Sequence, residues 1–351
     1  MSELQAIARP VEREMKEFNA EFRRATVSDV PLVNLVAKYL IRTKGKQLRP
    51  MLVLLAAKAC GEVNESTYRA ATLVELLHTA TLIHDDVIDD SDQRRGFASI
   101  KALWKNKVGV LMGDYLLAQG LLRTVKTAEY HFLEITSNAV RRMSEGELYQ
   151  LQKARQLNID EAAYFRIIAD KTASLISTCC ELGAASVTHP FPSNPPFLFK
   201  DSSNPPLLSK EGDGGWLNYR EALKNYGEYV GIAFQIRDDL FGFEAKGGAA
   251  GKPVEADLKE KKLTLPLIHS LSLASASARK RIIKLVKNGR AAKGSYKEVI
   301  DFVASSGSID YTRAKAEEYA SKALEALSPL PESEAINSLR QFARYVIERE
   351  S

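Results

Sequence analysis

Along most of this chain apolar residues recur at helical spacing, and segments that alternate every second residue are scarce. The pattern predicts a helix over Met51–Cys60, opened by Pro50 in its first turn and stopped by Gly61. On that reading Lys46 and Arg49 lie in a loop feeding the helix N-terminus, where free amides and the helix dipole favour an anion. A basic loop lying in solvent is the plainer alternative. The next helix runs from Ser66, a candidate N-cap, to about Asp90. Further helices are expected over roughly 101–125, 129–152, 160–186, 218–243, 263–287, 295–305, 310–328 and 332–349. So many helices with short connections imply an all-α fold, one large single-domain bundle rather than two domains.

One stretch breaks the pattern. Residues 188–216 are rich in Pro, Ser, Asn and Gly, and contain a ten-residue near-repeat, SNPPFLFKD from Ser193 and SNPPLLSKE from Ser203. Paired prolines exclude helix there. We read it as an inserted, solvent-exposed loop; a Pro-rich docking segment is the alternative, with nothing else to favour it.

The chemistry concentrates where the second predicted helix ends, in His84-Asp85-Asp86-Val87-Ile88-Asp89. At about 100° per residue, His78, Asp85 and Asp89 fall within about 40° of one another on a helical wheel. Carboxylates stacked one turn apart repel unless a cation lies between them, and a hard, oxygen-seeking ion such as magnesium suits such a pair. Taken alone, the motif reads more simply as a solvated acidic helix end. A second acidic pair, Asp238-Asp239, closes another helical segment after Phe234-Gln235-Ile236-Arg237. Single cations are distributed around the two pairs: Lys46, Arg49, Arg94, Arg95, Lys171 (followed by Thr172) and Lys252. Two acidic, metal-seeking ends with many separate cations describe a site for a polyanion, and diphosphate is the obvious candidate.

Composition narrows the remaining classes. The 351 residues, 45% apolar and 26% charged, suffice for a sizeable core. The net charge of +5 is spread through helical segments, so nucleic acid is not an expected partner. No apolar run approaches the ~18–20 residues of a membrane span, and the charged N-terminus lacks a signal-peptide core. Cys60, Cys179 and Cys180 show no metal-ligand spacing and read as reduced, buried thiols, as expected of a cytoplasmic protein.

Taken in order, GKQLRP at 45–50, ELLHTATLIHDDVIDDSDQRRG at 75–96, MGDYLLAQ at 112–119, KTA at 171–173, FQIRDD at 234–239 and GKPVEADLKEKKLTLPL at 251–267 resemble the all-trans isoprenyl diphosphate synthases, or polyprenyl synthetases. The match covers nearly the whole chain and is most like the long-chain octaprenyl and solanesyl-type synthases. It implies a polyprenyl synthetase domain over 1–351, a helical bundle of the isoprenoid synthase type around a deep central cavity. The implied reaction is ionisation of an allylic diphosphate, attack by the double bond of isopentenyl diphosphate on the allylic cation, and loss of a proton. Such chemistry needs a departing polyanion to be stabilised electrostatically.

Carried over position by position, Asp85 and Asp89 bind two magnesium ions and Asp238 a third, with Asp86 and Asp239 in support. Arg94, Lys171, Gln235 and Lys252 match the allylic diphosphate site, with Thr172 and Lys262 as helpers. Lys46, Arg49, His78 and Arg95 match the isopentenyl diphosphate site. His78 alone reads as a core histidine; its place on the Asp85/Asp89 face favours the functional role. Tyr115 and Phe234 read as packing rather than cation-stabilising aromatics. Lys262 is the weakest match, since Lys261 replaces the usual glycine. Gly242 stands where a third aspartate is usual, one turn beyond Asp238, which removes a carboxylate from the second acidic wall. Thr81, one turn before Asp85, and Ala80 beside it are small where short-chain relatives carry bulky aromatics, which implies an open elongation channel and a long product serving as a quinone side chain. A homodimer is expected, with peripheral membrane contact on product release. Three alternatives remain: a geranylgeranyl- or farnesyl-length synthase, a class I terpene cyclase, which has no need of Lys46, Arg49, His78 and Arg95, and a non-catalytic regulatory subunit, motivated by Gly242.

Overall fold

The computed structural model describes residues 2–94, 96–156, 160–187, 213–244, 262–287 and 295–349. Their packing divides into two units, Met1–Ser137 with Thr178–Leu223 and Pro329–Leu339, and Asn138–Ser177 with Lys224–Ser328 and Arg340–Ser351.

In the first unit, α1 (Glu3–Ala8), a 3-10 turn (Arg9–Val11), α2 (Glu12–Ala25) and α3 (Pro31–Arg42) precede α4 (Leu48–Cys60) and α5 (Glu65–Ile88). A two-residue ribbon, β1 (Gln93–Arg94) against β2 (Phe97–Ala98), links α5 to α6 (Ile100–Lys126), and α7 (Tyr130–Gln156) begins here, its residues from Asn138 onward belonging to the second unit. Ten residues of α4 are buried, Met51 to Ala57 in succession among them. A helix apolar all round belongs in an interior, and each Leu, Val or Met so buried contributes about 1.5–3 kcal/mol. One core cluster joins Leu76, Ala80 and Ile83 of α5 to Met112 and Leu116 of α6 and to Val36 and Ala37 of α3. Glycine permits the α5–α6 approach. A Cβ on Gly113 would lie 2.2 Å from His84 Nε2, and one on Gly109 2.9 Å from Val87 Cγ2.

A buried carboxylate fixes the corner where α6 meets α7. Glu129, 8% exposed, accepts from Arg69 Nε and Nη2 at 2.8 Å each, from Thr127 Oγ1 at 2.7 Å and from the Ser66 hydroxyl. Burial pushes its carboxyl up, but the Arg69, Ser66 and Thr127 bonds outweigh it and hold the pKa below the ordinary value.

The second unit contains α8 (Glu161–Ile168), a π turn (Ala169–Ala173), the start of α9 (Ser174–Val187), whose residues from Thr178 belong to the first unit, much of α10 (Asp213–Glu244), α11 (Leu265–Leu273), α12 (Ala276–Lys287), α13 (Ser295–Ala304), α14 (Ser308–Ala326) and the end of α15 (Glu334–Glu348). Its core gathers Tyr164 and Ile168 of α8, Ile232 and Ile236 of α10, Leu265, Leu267 and Ile268 of α11, and Val299 and Val303 of α13.

The all-α reading holds, and several boundaries move. The cap of α5 is Asn64, which accepts from Thr67 N–H in a reciprocal capping box, so Ser66 lies inside the helix. Pro50 is the third residue of α4, since the missing N–H costs nothing anywhere in the first turn. Arg49 is therefore helical rather than in the preceding loop. Lys105, at φ 72°, kinks α6. The predicted 160–186 helix is divided by the π turn, and the predicted 263–287 helix by extended Ala274 and the Ser275 hydroxyl, which accepts from Ala278 N–H. The helix expected from 218 begins at Asp213, inside the stretch read as loop; residues 188–212 lie outside the described residues. Cys60, Cys179 and Cys180 are free and buried, and burial pushes the first two thiols up to about 12. Among the described residues no helix is long and apolar enough to cross a membrane.

Candidate active site

In the first unit the acidic motif caps α5. Asp85 and Asp89 are exposed, and the Asp89 N–H closes the last turn on Asp85 O at 2.8 Å. Asp86, a third of a turn away, is 4% exposed, and Arg94 Nε and Nη2 each lie 2.8 Å from its Oδ1. The helix period thus separates two exposed carboxylates from one buried anchor. That anchor ties the ribbon to the helix end. Ser91 N–H donates to Asp86 O at 2.9 Å, Ser99 Oγ to Ser91 O at 2.7 Å, and Tyr39 Oη to Ala98 O at 2.7 Å. Gly96, at φ 80°, makes the ribbon's turn in the left-handed region where a side chain would be strained. Arg95, beside it, lies outside the described residues. His84 Nε2 is 3.2 Å from Val110 O and 3.4 Å from Asp114 Oδ1, so Gly113 and Asp114 of the MGDY segment accommodate this imidazole. Tyr115 Oη donates to Val27 O at 3.1 Å, a packing role.

The basic residues of the same unit gather near the start of α4. Gln47 at φ 52° turns the chain into the helix; Lys46 is exposed and Arg49 half-buried in the first turn. Lys44, unremarked in the sequence, shares Asn19 Oδ1 with Gln47 at 2.6 and 3.1 Å. Burial, then repulsion from Arg23, lowers the Lys44 ammonium below its ordinary value, with Glu75 opposing. His78 is half-buried on α5. Ala80 is 2% exposed within the α3–α5–α6 core, whereas Thr81 is half-buried and donates to His78 O at 2.9 Å.

The second unit contains a cleft of about 190 Å³ whose polar lining is Gln150, Tyr164, Lys171, Thr172, Gln235, Asp239, Lys262 and Thr264. Five of these were expected from the sequence. They are wired in series: Thr172 Oγ1 donates to Gln235 Oε1 at 2.9 Å, Gln235 Nε2 to Asp239 Oδ1 at 2.9 Å, and Tyr164 Oη to Asp239 Oδ2 at 2.7 Å. Lys171 Nζ lies 2.5 Å from Glu147 and donates to Gln150 at 3.3 Å. Glu147 and Gln150 had a legible signal, being three apart on one face of α7; Tyr164 had none, since it reads as core.

Asp238 is not among the residues that line this cleft. Arg349, after the last helix, donates to Asp238 Oδ1 at 2.5 Å and to Phe234 O at 3.2 Å, with its guanidinium 3.8 Å from the Phe234 ring centroid. Burial pushes the Asp238 carboxyl up, with Arg349 opposing. Gly242 is buried, so a carboxylate introduced there would face desolvation rather than an open acidic wall. Lys252 lies outside the described residues.

Among the described residues no three His, Cys, Asp or Glu side chains form a metal cage. Exposed Asp85 and Asp89 instead suit an ion that takes one or two carboxylates and completes its shell with water and substrate phosphate, the habit of magnesium.

The sequence profile of the polyprenyl synthetase family matches residues 30–193 and 214–303, and its break falls inside the Pro-rich stretch. An octaprenyl diphosphate synthase of Haemophilus influenzae is 32% identical over 349 residues, 99% of this chain and 97% of that one. A decaprenyl diphosphate synthase from Rhodobacter capsulatus superimposes with a TM-score of 0.86 at 33% identity, over 99% of each chain. A polyprenyl synthase from Caulobacter crescentus, complexed with calcium and isoprenyl diphosphate, gives 0.83 at 30% identity, over 99% of this chain and 98% of that one. With its ordered motifs, its all-helical fold and these near full-length likenesses, the chain belongs to the polyprenyl synthetase family.

Proposed function

We propose that this chain is a long-chain trans-prenyltransferase that condenses isopentenyl diphosphate with an allylic diphosphate and builds a polyprenyl diphosphate for a quinone side chain. The observation that carries the reading is the cleft in which Thr172, Gln235 and Asp239 are wired together by hydrogen bonds, with Lys171 on the same lining beside Gln150. A lysine and a hydroxyl offered beside an oriented carboxylate suit a diphosphate and its counter-ion. In this reading Lys171, Thr172 and Lys262 bind the allylic diphosphate together with Arg94 and Lys252, and Gln235 orients Thr172 and Asp239. Lys46, Arg49, His78 and Arg95 bind isopentenyl diphosphate. Asp85, Asp89 and Asp238 hold magnesium, three ions in all, with Asp86 and Asp239 in support; when bound, the metal spreads the charge of the departing diphosphate. The allylic carbon–oxygen bond breaks, the isopentenyl double bond attacks the allylic cation, and a proton leaves.

The protein acts in the cytoplasm as a homodimer. Leu103, Leu111, Leu121, Leu122 and Val125 of α6 are 42–57% exposed, an apolar display that a second copy would cover. Product leaves by peripheral contact with a membrane. Incubating the purified chain alone with farnesyl diphosphate, labelled isopentenyl diphosphate and magnesium should give a long-chain polyprenyl diphosphate. A short product refutes the chain length. A cyclised product with no isopentenyl diphosphate consumed indicates a cyclase, and no product at all a regulatory subunit.

A further inference from the structure

Lys171 and Thr172 owe their directions to an unusual piece of backbone. They lie in the π turn Ala169–Ala173, where Ser174 N–H reaches back to Ala169 O across five residues instead of four. Such turns are rare, are less favourable than α-helix, and occur at functional positions. One residue of register is worth about 100° of rotation, so a reversion to α geometry would swing Lys171 and Thr172 away from Gln150 and Gln235.

Two helices grip this turn. On α7, a Cβ at Gly146 would lie 2.9 Å from Asp170 Cβ and 3.1 Å from Lys171 N; on α10, one at Gly231 would lie 2.6 Å from Ala173 Cα. One guanidinium also ties both helices to the turn. Arg142 of α7 donates Nε to Asp170 Oδ1 at 2.9 Å and Nη2 to Ala169 O at 3.4 Å. It also donates Nη1 and Nη2 to the two Glu228 oxygens at 2.9 and 3.0 Å, which fastens the turn to α10. Ser174 Oγ donates to Asp170 O at 2.5 Å. Ala169 O and Asp170 O at the start of the turn thus accept from side chains as well, which helps satisfy carbonyls that the shift to π register displaces from α-helical bonding.

We propose that Arg142 is a positioning residue for the allylic diphosphate: through Asp170 and Ala169 it keeps the turn in π register and so aims Lys171 and Thr172 into the cleft. This rests on the reading that those two side chains hold that diphosphate. Glu228 anchors the guanidinium, whereas Asp170 transmits the constraint. The two links are separable.

The test uses the full-length chain and four substitutions, Arg142→Met, Arg142→Lys, Asp170→Asn and Glu228→Gln, with melting temperatures measured for each. Arg142→Met and Asp170→Asn should raise KM for farnesyl diphosphate about tenfold and leave KM for isopentenyl diphosphate within about twofold, the effect of losing one charge-assisted contact. Arg142→Lys, which retains the charge without the fork, should recover part of the loss. Glu228→Gln should lower the melting temperature without moving the allylic KM. Calorimetric binding of inorganic pyrophosphate with magnesium should weaken by the same factor in Asp170→Asn. That measurement needs no turnover, so it still decides the matter if the wild-type chain proves inactive and the proposed activity falls. Folded Asp170→Asn with wild-type KM values and pyrophosphate affinity overturns the proposal, as does Glu228→Gln matching Asp170→Asn in allylic KM. If Arg142→Met fails to fold, the Asp170/Glu228 contrast decides.

Discussion

Replacing Tyr164 by phenylalanine removes one oxygen from the cleft and leaves its frame in place. The ring is 4% exposed and packs edge-on to Phe165 at 5.5 Å, contacts a phenyl group keeps. The lost hydroxyl donates to Asp239 Oδ2 at 2.7 Å, while Gln235 Nε2 remains on the other oxygen at 2.9 Å. A hydrogen bond to a charged group is worth about 1.5–3 kcal/mol. The lower end applies to a half-buried carboxylate, and about 1.4 kcal/mol is tenfold in an equilibrium constant. If Asp239 supports the metal and diphosphate, its lost orientation should raise the magnesium concentration for half-maximal rate about tenfold, the low end of the effect expected for a group that orients a metal ligand. The rate at saturating magnesium should fall much less, because Lys171, Thr172 and Lys262 stay in place. Stability should drop by about 1 kcal/mol, a few degrees in melting temperature. The assay is incorporation of labelled isopentenyl diphosphate into product over several decades of magnesium, with wild type and variant side by side. Superimposable magnesium curves from a folded variant would refute the reasoning, leaving Asp239 as a carboxylate that merely fastens α8 to α10.

Exposed Asp85 and Asp89 contribute little to the core, so Asp85→Ala or Asp89→Ala should lower turnover by orders of magnitude at unchanged melting temperature; near-normal activity in either sinks the magnesium assignment. Thr81→Phe places a ring about one turn, ~5.4 Å, before Asp85 and should shorten the product to farnesyl or geranylgeranyl length with similar affinity for the allylic primer; product sizing that shows the parental length removes Thr81 from the channel. Arg69→Met leaves Glu129 buried without its cation, and with Arg69 30% exposed the cost should be about 2–3 kcal/mol near neutral pH, read from urea midpoints. Because the folded Glu129 pKa is lowered, its stabilisation is present above the ordinary carboxylate value and is lost as pH falls through the folded value, so the gap between wild type and variant should narrow on acidification; a constant gap down to low pH contradicts the pairing.

The fold class was legible because it rests on local periodicities, whereas Lys171, Thr172, Gln235 and Lys262 of the cleft were matched through the family resemblance. Helical spacing marked nearly every element from Met51 onward, and it put His78, Asp85 and Asp89 on one helix face. The near misses have local causes too. Asn64 and Ser66 are both competent caps two residues apart, and the reciprocal bond with Thr67 decides between them. Pro50 is equally at home in any of the first helical positions, so it could not date the start of α4. Gly214-Gly215 reads as loop, yet α10 runs through it.

By itself the sequence determined a helical protein with two acidic motifs and a set of cations suited to diphosphates, because spacing along a helix and the charge of a side chain are properties of the chain alone, and its ordered motifs carried the resemblance to the polyprenyl synthetases. Tertiary structure alone decided which of those groups are occupied by one another. Arg94 pairs with Asp86, Arg349 with Asp238, and Tyr164 with Asp239, pairings spanning 8, 111 and 75 residues. It also decided the π turn, whose register depends on Arg142 reaching across to Asp170 and Glu228, 28 and 86 residues away. No local pattern encodes such partners, since they meet only after apolar burial has brought distant helices into contact, and a buried charge then takes whichever partner lies within reach.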